Sequence, residues 1–190
     1  MSNQFTLMTE KRFQPFFFVQ FLGAFNDNVF KTAFITLVVF HSTSLTDINP
    51  IALATILPGV FILPFFLFSA TSGQLADKYE KSFLMRLVKQ FEIGIMTLAA
   101  LGFVFHIFWL LVLALFLMGM HSTLFGPVKY AYLPQHLNER ELLGGNGMVE
   151  MGTFLAILLG QIGGAWLVMQ SGGEVLAAIA VILLAVLGYG

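Results

Sequence analysis

The chain has 190 residues, of which 58% are hydrophobic and only 10% charged, and its mean hydropathy is +0.88. Water-soluble domains carry about 25% charged residues, so this composition describes a protein that lives in a bilayer. A net charge of −1 gives no electrostatic footprint for nucleic acid, the absence of cysteine rules out disulfides and thiolate metal sites, and four scattered histidines (His41, His106, His121, His136) have no ligand spacing. No cofactor or metal is expected, and the pattern implies no catalytic residues.

Six apolar runs have the length or composition of membrane helices: 13–40, 51–70, 83–105, 108–124, 147–169 and 175–190. The first follows a short polar N-terminus and is too long for the apolar region of a cleavable signal, so it is expected to be retained. Pro58 and Pro64 interrupt the second run, where neighbouring helices can satisfy the carbonyls that a proline frees. Apart from Lys31, which is inside run one, lysine and arginine fall on one side of this scheme. Lys11 and Arg12 precede run one, Lys78 and Lys81 separate runs two and three, Arg86 and Lys89 open run three, and Lys129 and Arg140 lie between runs four and five. The alternate connections carry neither residue, so the N-terminus is expected in the cytoplasm, as is the end of run six. That last run is short, and the chain is read as the front part of a longer protein.

Run one holds the most informative residues. Asn26, Asp27, Asn28 and Lys31 lie near the middle of an otherwise apolar stretch, where a carboxylate costs at least about 2.5–3.5 kcal/mol to insert. Asp27 and Lys31 are one helical turn apart and are expected to pair. All four are candidates for a substrate pathway, with a structural ion pair as the plainer alternative. Run five contributes Asn146, Glu150, Thr153 and Gln161 along one face, and its Gly152, Gly160, Gly163 and Gly164 are expected to allow close helix packing. Lys129, in the segment Phe125-Gly126-Pro127-Val128-Lys129-Tyr130-Ala131 after run four, reads either as an anchor at the membrane surface or as a contact for a phosphate headgroup. Lys89 is expected to snorkel to the interface, and His121 to make an interhelical hydrogen bond. Asn138 followed by Glu141 predicts a helix start.

Gly23–Lys31 and Gly119–Lys129 are both glycine-punctuated segments with polar residues and a lysine, in runs one and four. Such correspondence points to inverted repeats of three helices each, with a transport site between the segments. The loop expected after run two reads Gly73-Gln74-Leu75-Ala76-Asp77-Lys78-Tyr79-Glu80-Lys81-Ser82. Here Gly73 would permit a tight exit from helix two, and Asp77 would accept backbone hydrogen bonds at the start of helix three.

This loop resembles the cytoplasmic signature of the major facilitator superfamily, with Gly73, Leu75, Ala76, Asp77, Lys78 and Lys81 matching in kind. The resemblance implies an all-α membrane fold, of which these six transmembrane helices form the N-terminal half, and a latch at Gly73, Asp77, Lys78 and Lys81. Gly23-Ala24-Phe25-Asn26-Asp27-Asn28, Gly126-Pro127-Val128-Lys129-Tyr130-Ala131 and Asn146-Gly147-Met148-Val149-Glu150 resemble the lysophospholipid transporter branch of that superfamily. That likeness implies a bacterial inner-membrane transporter moving lysophospholipids, such as lysophosphatidylethanolamine, to the cytoplasmic leaflet. Asp27, Lys129, Asn146 and Glu150 would then line its pathway. Implied partners are the bilayer, the lipid substrate, a C-terminal six-helix half and, as in some fused relatives, an acyltransferase and acyl-carrier-protein synthetase. A transporter of a small solute or drug is an alternative. So is the membrane part of an acyltransferase, although no histidine has an aspartate five residues later: His41 meets Asp47 at six, and His136 meets Glu141.

Overall fold

The structure, a computed structural model, describes residues 4–41, 46 and 48–189, with only the backbone of His41. Asp47, and with it the spacing from His41, lies outside the described residues, as does Gly190 at the end of run six. A short 3-10 helix, Gln4–Thr9, precedes six α-helices: α1 Gln14–His41, α2 Pro50–Lys78, α3 Lys81–Val104, α4 Phe108–His136, α5 Glu139–Val168 and α6 Gly173–Leu187. No strand occurs among the described residues. With no water to bond the backbone in hydrocarbon, helices are how such apolar segments satisfy their own peptide groups. Helices α2, α3, α4 and α5 are long and apolar enough to cross a membrane. Helix α1 has the length, 28 residues, but carries its polar cluster at mid-span, and α6 has 15 residues.

Helices α2, α4 and α5 overrun their apolar runs by two turns or more, and the first two of these correct the expected loops. Helix α2 continues through Gly73, Asp77 and Lys78, so the segment expected as a loop is the last two turns of a helix, and the connection to α3 is Tyr79 and Glu80 alone. Gly73 therefore provides no helix exit. Glu80, and not Asp77, starts α3: its carboxylate accepts from the backbone N–H of Ser82 at 2.8 Å and of Phe83 at 2.6 Å. Those bonds hold the Glu80 carboxyl below the usual carboxylate range. Asp77 and Lys78 are exposed, whereas the Lys81 amine folds back on the carbonyls of Ala76 and Tyr79. Helix α4 likewise runs unbroken through the Phe125–Ala131 segment, with Pro127 and Pro134 inside it. Helix α5 starts at Glu139 with the capping box that Asn138 and Glu141 predict, in which the backbone N–H of Asn138 donates to the Glu141 carboxylate at 3.0 Å.

The most extensive helix contacts are α1 with α5 and α2 with α4, followed by α3 with α4 and α3 with α6. Exchanging α1 for α4, α2 for α5 and α3 for α6 converts the first of these contacts into the second and leaves the last unchanged. This is the contact pattern of two intertwined three-helix repeats. The principal core joins Phe30, Phe34 and Leu37 of α1 to Met96 and Phe103 of α3, Leu111 and Met118 of α4, and Val181 of α6. A second core at the other end packs Leu7 and Phe13 against Leu133, Leu137 and Met148. That end is tied by Arg12, which donates to Glu141 at 2.8 Å and to the carbonyl of His136 at 3.0 Å. The Arg12 guanidinium and the Asn138 N–H keep the Glu141 carboxyl below its ordinary value.

Helix α5 can lie on α1 because it presents glycine. A Cβ built on Gly160 would stand 2.6 Å from the carbonyl oxygen of Phe25, and one on Gly164 would stand 2.4 Å from that of Val29, whereas one on Gly163 meets only the Phe25 ring, at 4.0 Å. Gly164→Ala is therefore expected to push backbone from backbone and cost at least about 1–3 kcal/mol, with Gly163→Ala near neutral. Thermal unfolding of the two variants in the same detergent checks this, and equal melting temperatures would contradict the packing.

Candidate functional site

A cavity of about 390 Å³ opens among α1, α2, α4 and α5, with Lys89 of α3 reaching it from behind. Its charged and polar wall comes from Asp27, Asn28 and Lys31 of α1, Ser122 and Lys129 of α4, and Thr153 and Gln161 of α5. Its apolar wall comes from Phe61, Phe65 and Phe125. The helix faces converge there because α1 and α5 touch at the glycines, and because Gly119 brings α4 against the backbone of α2: a Cβ on Gly119 would overlap the Phe61 carbonyl oxygen at 2.1 Å.

The four residues singled out on α1 part company in three dimensions, as a 100° step per residue requires. Asn26 points away from the cavity into the core, fully buried, and donates to Glu92 of α3 at 3.0 Å. Asn28 donates to the carbonyl of Ala24, and its Cβ packs where a side chain on Gly160 would be. Asp27 and Lys31 do face the cavity, but they do not form the expected ion pair. One Asp27 oxygen accepts from the Ser122 hydroxyl at 2.7 Å, and the other is buried with no hydrogen-bond partner. The Lys31 amine lies over the Phe61 ring, 4.8 Å from its centre, a cation–π contact to α2. A hydroxyl donor opposite Asp27 and an aromatic face opposite Lys31 each supply a partner that the sequence spacing does not reveal.

Lys129 is neither an exposed anchor nor free. It is buried, 3.0 Å from Glu150 of α5, and stacks its amine 4.6 Å from the Tyr130 ring. The Tyr130 hydroxyl donates to the same Glu150 oxygen at 2.7 Å. Asn146, placed on the same stripe of α5, instead donates to the carbonyl of Leu142 within its own helix and is not part of the cavity wall. Thr153 accepts from Gln20 of α1 at 3.0 Å, which fixes the middle of the α1–α5 seam.

Against the cavity, whose lining includes Lys89 and His121, lies a cluster centred on Glu92 that sequence reasoning missed. Glu92 is fully buried on α3, in salt-bridge contact with Lys89 one turn earlier and bonded to Asn26, while the ring of His121 stands 3.5 Å away. Lys89 is therefore a core residue and not the snorkelling lysine expected, and neither ring nitrogen of buried His121 makes the expected hydrogen bond. Space for the Lys89 side chain exists because Gly23 of α1 and Gly188 after α6 leave it: a Cβ there would lie 3.4 and 2.9 Å from its amine. The available signal was Glu92 itself, an acid well inside an apolar run and three residues from a lysine.

A bundle of apolar helices that keeps carboxylates and amines around an internal cavity is the build of a membrane transport unit. The sequence profile of the Major Facilitator Superfamily matches residues 16–189, and the chain belongs to that family. It is thus a multi-pass membrane protein. It is similar to the lysophospholipid transporter LplT of Enterobacter sp. (strain 638), 30% identical over 76% of this chain and 34% of that protein. It is also similar to the LplT of Escherichia coli (strain SE11), 31% identical over 84% of this chain and 37% of that one. The chain thus spans little more than a third of the length of these relatives. No solved structure matches it.

Removing one partner of a buried ion pair strands the other charge, at a cost of about 3–5 kcal/mol. Glu92→Ala is expected to lower the melting temperature steeply, and replacing both Lys89 and Glu92 by methionine to recover most of the loss. A double variant no more stable than Glu92→Ala would show that the pair is not what holds this region.

Proposed function

We propose that this chain is the N-terminal half of a transporter that moves lysophospholipids across the bacterial inner membrane toward the cytoplasmic leaflet. The observation that carries the reading is the cavity. It offers a carboxylate with an uncommitted oxygen, amines at two depths and a wall of phenylalanine rings, which suits a headgroup bearing phosphate and amine joined to one acyl chain. The likeness to the LplT proteins over most of the chain supports the same substrate class.

In this mechanism Asp27 contacts the headgroup amine, or in an alternative arrangement a cation of the C-terminal half. Lys129, at the cytoplasmic mouth, attracts the phosphate, which must compete there with Glu150. The acyl chain lies on the aromatic wall and needs no specific partner. Alternating access comes from rocking of this half against a second six-helix half around the cavity, so the six helices alone do not transport. The latch segment, with Asp77 and Lys78 exposed at the end of α2, faces that second half. Both ends of the chain are cytoplasmic in this reading, following the distribution of lysine and arginine.

Asp27→Asn is expected to leave membrane insertion intact, because it relieves the cost of a buried charge, and to impair transport by about tenfold or more. Lys129→Ala should do likewise. Movement of a fluorescent lysophosphatidylethanolamine between the leaflets of proteoliposomes, at matched protein levels, measures both. Wild-type rates in both variants would remove these residues from the mechanism. The topology is checked separately: a cysteine at Asn49, exposed at the start of α2, should be labelled only from the periplasmic side, and labelling only from the cytoplasm would reverse the orientation.

A further inference from the structure

Lys31 stands apart from the other two amines at the cavity. Lys89 is neutralised by Glu92, and Lys129 by Glu150. Lys31 has no carboxylate within salt-bridge reach among the described residues, and its only contact of note is the face of Phe61. One turn earlier on the same face, Asp27 is anchored through a single oxygen by Ser122, and its second oxygen is buried without a donor. Both groups line the same cavity. An unmatched amine and an unmatched carboxylate oxygen on residues one helical turn apart (about 5.4 Å along the axis) on the same helix face are a complementary mould for a zwitterion. The two carbons and ester oxygen between the phosphorus and the nitrogen of a phosphoethanolamine group span about one such turn.

We propose that Lys31 and Asp27 together form the headgroup-selecting subsite, with Lys31 binding the phosphate and Asp27 the ammonium, while Lys129–Glu150 serves as an entrance pair. The proposal rests on the lysophospholipid reading and goes beyond it, because it assigns the selection among amphiphiles to Lys31 and makes Asp27 and Lys31 a matched unit. The Phe61 ring holds the Lys31 side chain over the cavity when no phosphate is present. A cation–π contact at such a site is worth less than a charge-assisted bond to phosphate, so the amine can be drawn from one to the other.

Competition tests it. The full-length protein in proteoliposomes moves a fluorescent lysophosphatidylethanolamine in the presence of three unlabelled single-chain competitors: lysophosphatidylethanolamine, lysophosphatidic acid, which lacks the amine, and monoacylglycerol, which lacks both charges. Wild type should be inhibited best by the zwitterion. In Lys31→Gln the advantage of lysophosphatidic acid over monoacylglycerol should fall by about tenfold, with rescue in Lys31→Arg. In Asp27→Asn the advantage of the zwitterion over lysophosphatidic acid should fall by a similar factor. Transport by wild type with unchanged competitor ratios in Lys31→Gln overturns the subsite and leaves the lysophospholipid reading standing. A wild-type protein that moves no lysophospholipid overturns that reading, and the subsite falls with it.

Discussion

Everything in this bundle is arranged so that the middle of α1 never meets lipid. A helix that carries Asn26, Asp27, Asn28 and Lys31 at mid-membrane has polar groups pointing in several directions, and no single interface can cover them. The fold answers with three. Glu92 of α3 takes Asn26 on the core side. The glycine face of α5 closes over Asn28. The cavity takes Asp27 and Lys31, with Ser122 and Phe61 as partners from α4 and α2. Helix α1 is consequently the axis about which the other elements are placed, and the cavity is the one side of it left open.

This explains what was legible in the sequence and what was not. Hydrophobic runs mark where helices are apolar, and the all-helical fold and its family follow from them and from a few motifs. Such runs do not mark where helices stop, because a helix leaving the membrane satisfies its own backbone as well in water as in lipid. Hence α2 runs on to Lys78 and α4 to His136, beyond the residues that hydropathy selects. The depth of a charge is also hidden. Lys89, two turns into α3, has the sequence signature of a residue that reaches for the surface, and only the gaps left by Gly23 and Gly188 show that it is enclosed. The pairing of Asp27 with Lys31 is sound as helix geometry, yet neighbouring helices supply partners that no local spacing contains.

The two three-helix repeats agree in their most extensive contact, α1 on α5 and α4 on α2, and disagree in how that contact is made. In the α1–α5 seam the small residues are Gly160 and Gly164, both on α5. In the corresponding α4–α2 seam the close approach is made by Gly119, on α4. The exchange of repeats that maps α5 onto α2 therefore moves the glycine to the other side of the seam. Structural equivalence without residue equivalence is the physical reason that the repeat is faint in the sequence.

The paired charges lead to one more consequence. Among the described residues, the amines of Lys31, Lys89 and Lys129 within the bundle are matched in number by the carboxylates of Asp27, Glu92 and Glu150. With all six ionised the interior is electroneutral. A membrane voltage does work of about 2.3 kcal/mol per 100 mV on each elementary charge that crosses, and none on a cargo and carrier whose charges cancel. An electroneutral interior leaves no net charge in this half of the fold on which the voltage across the membrane can act.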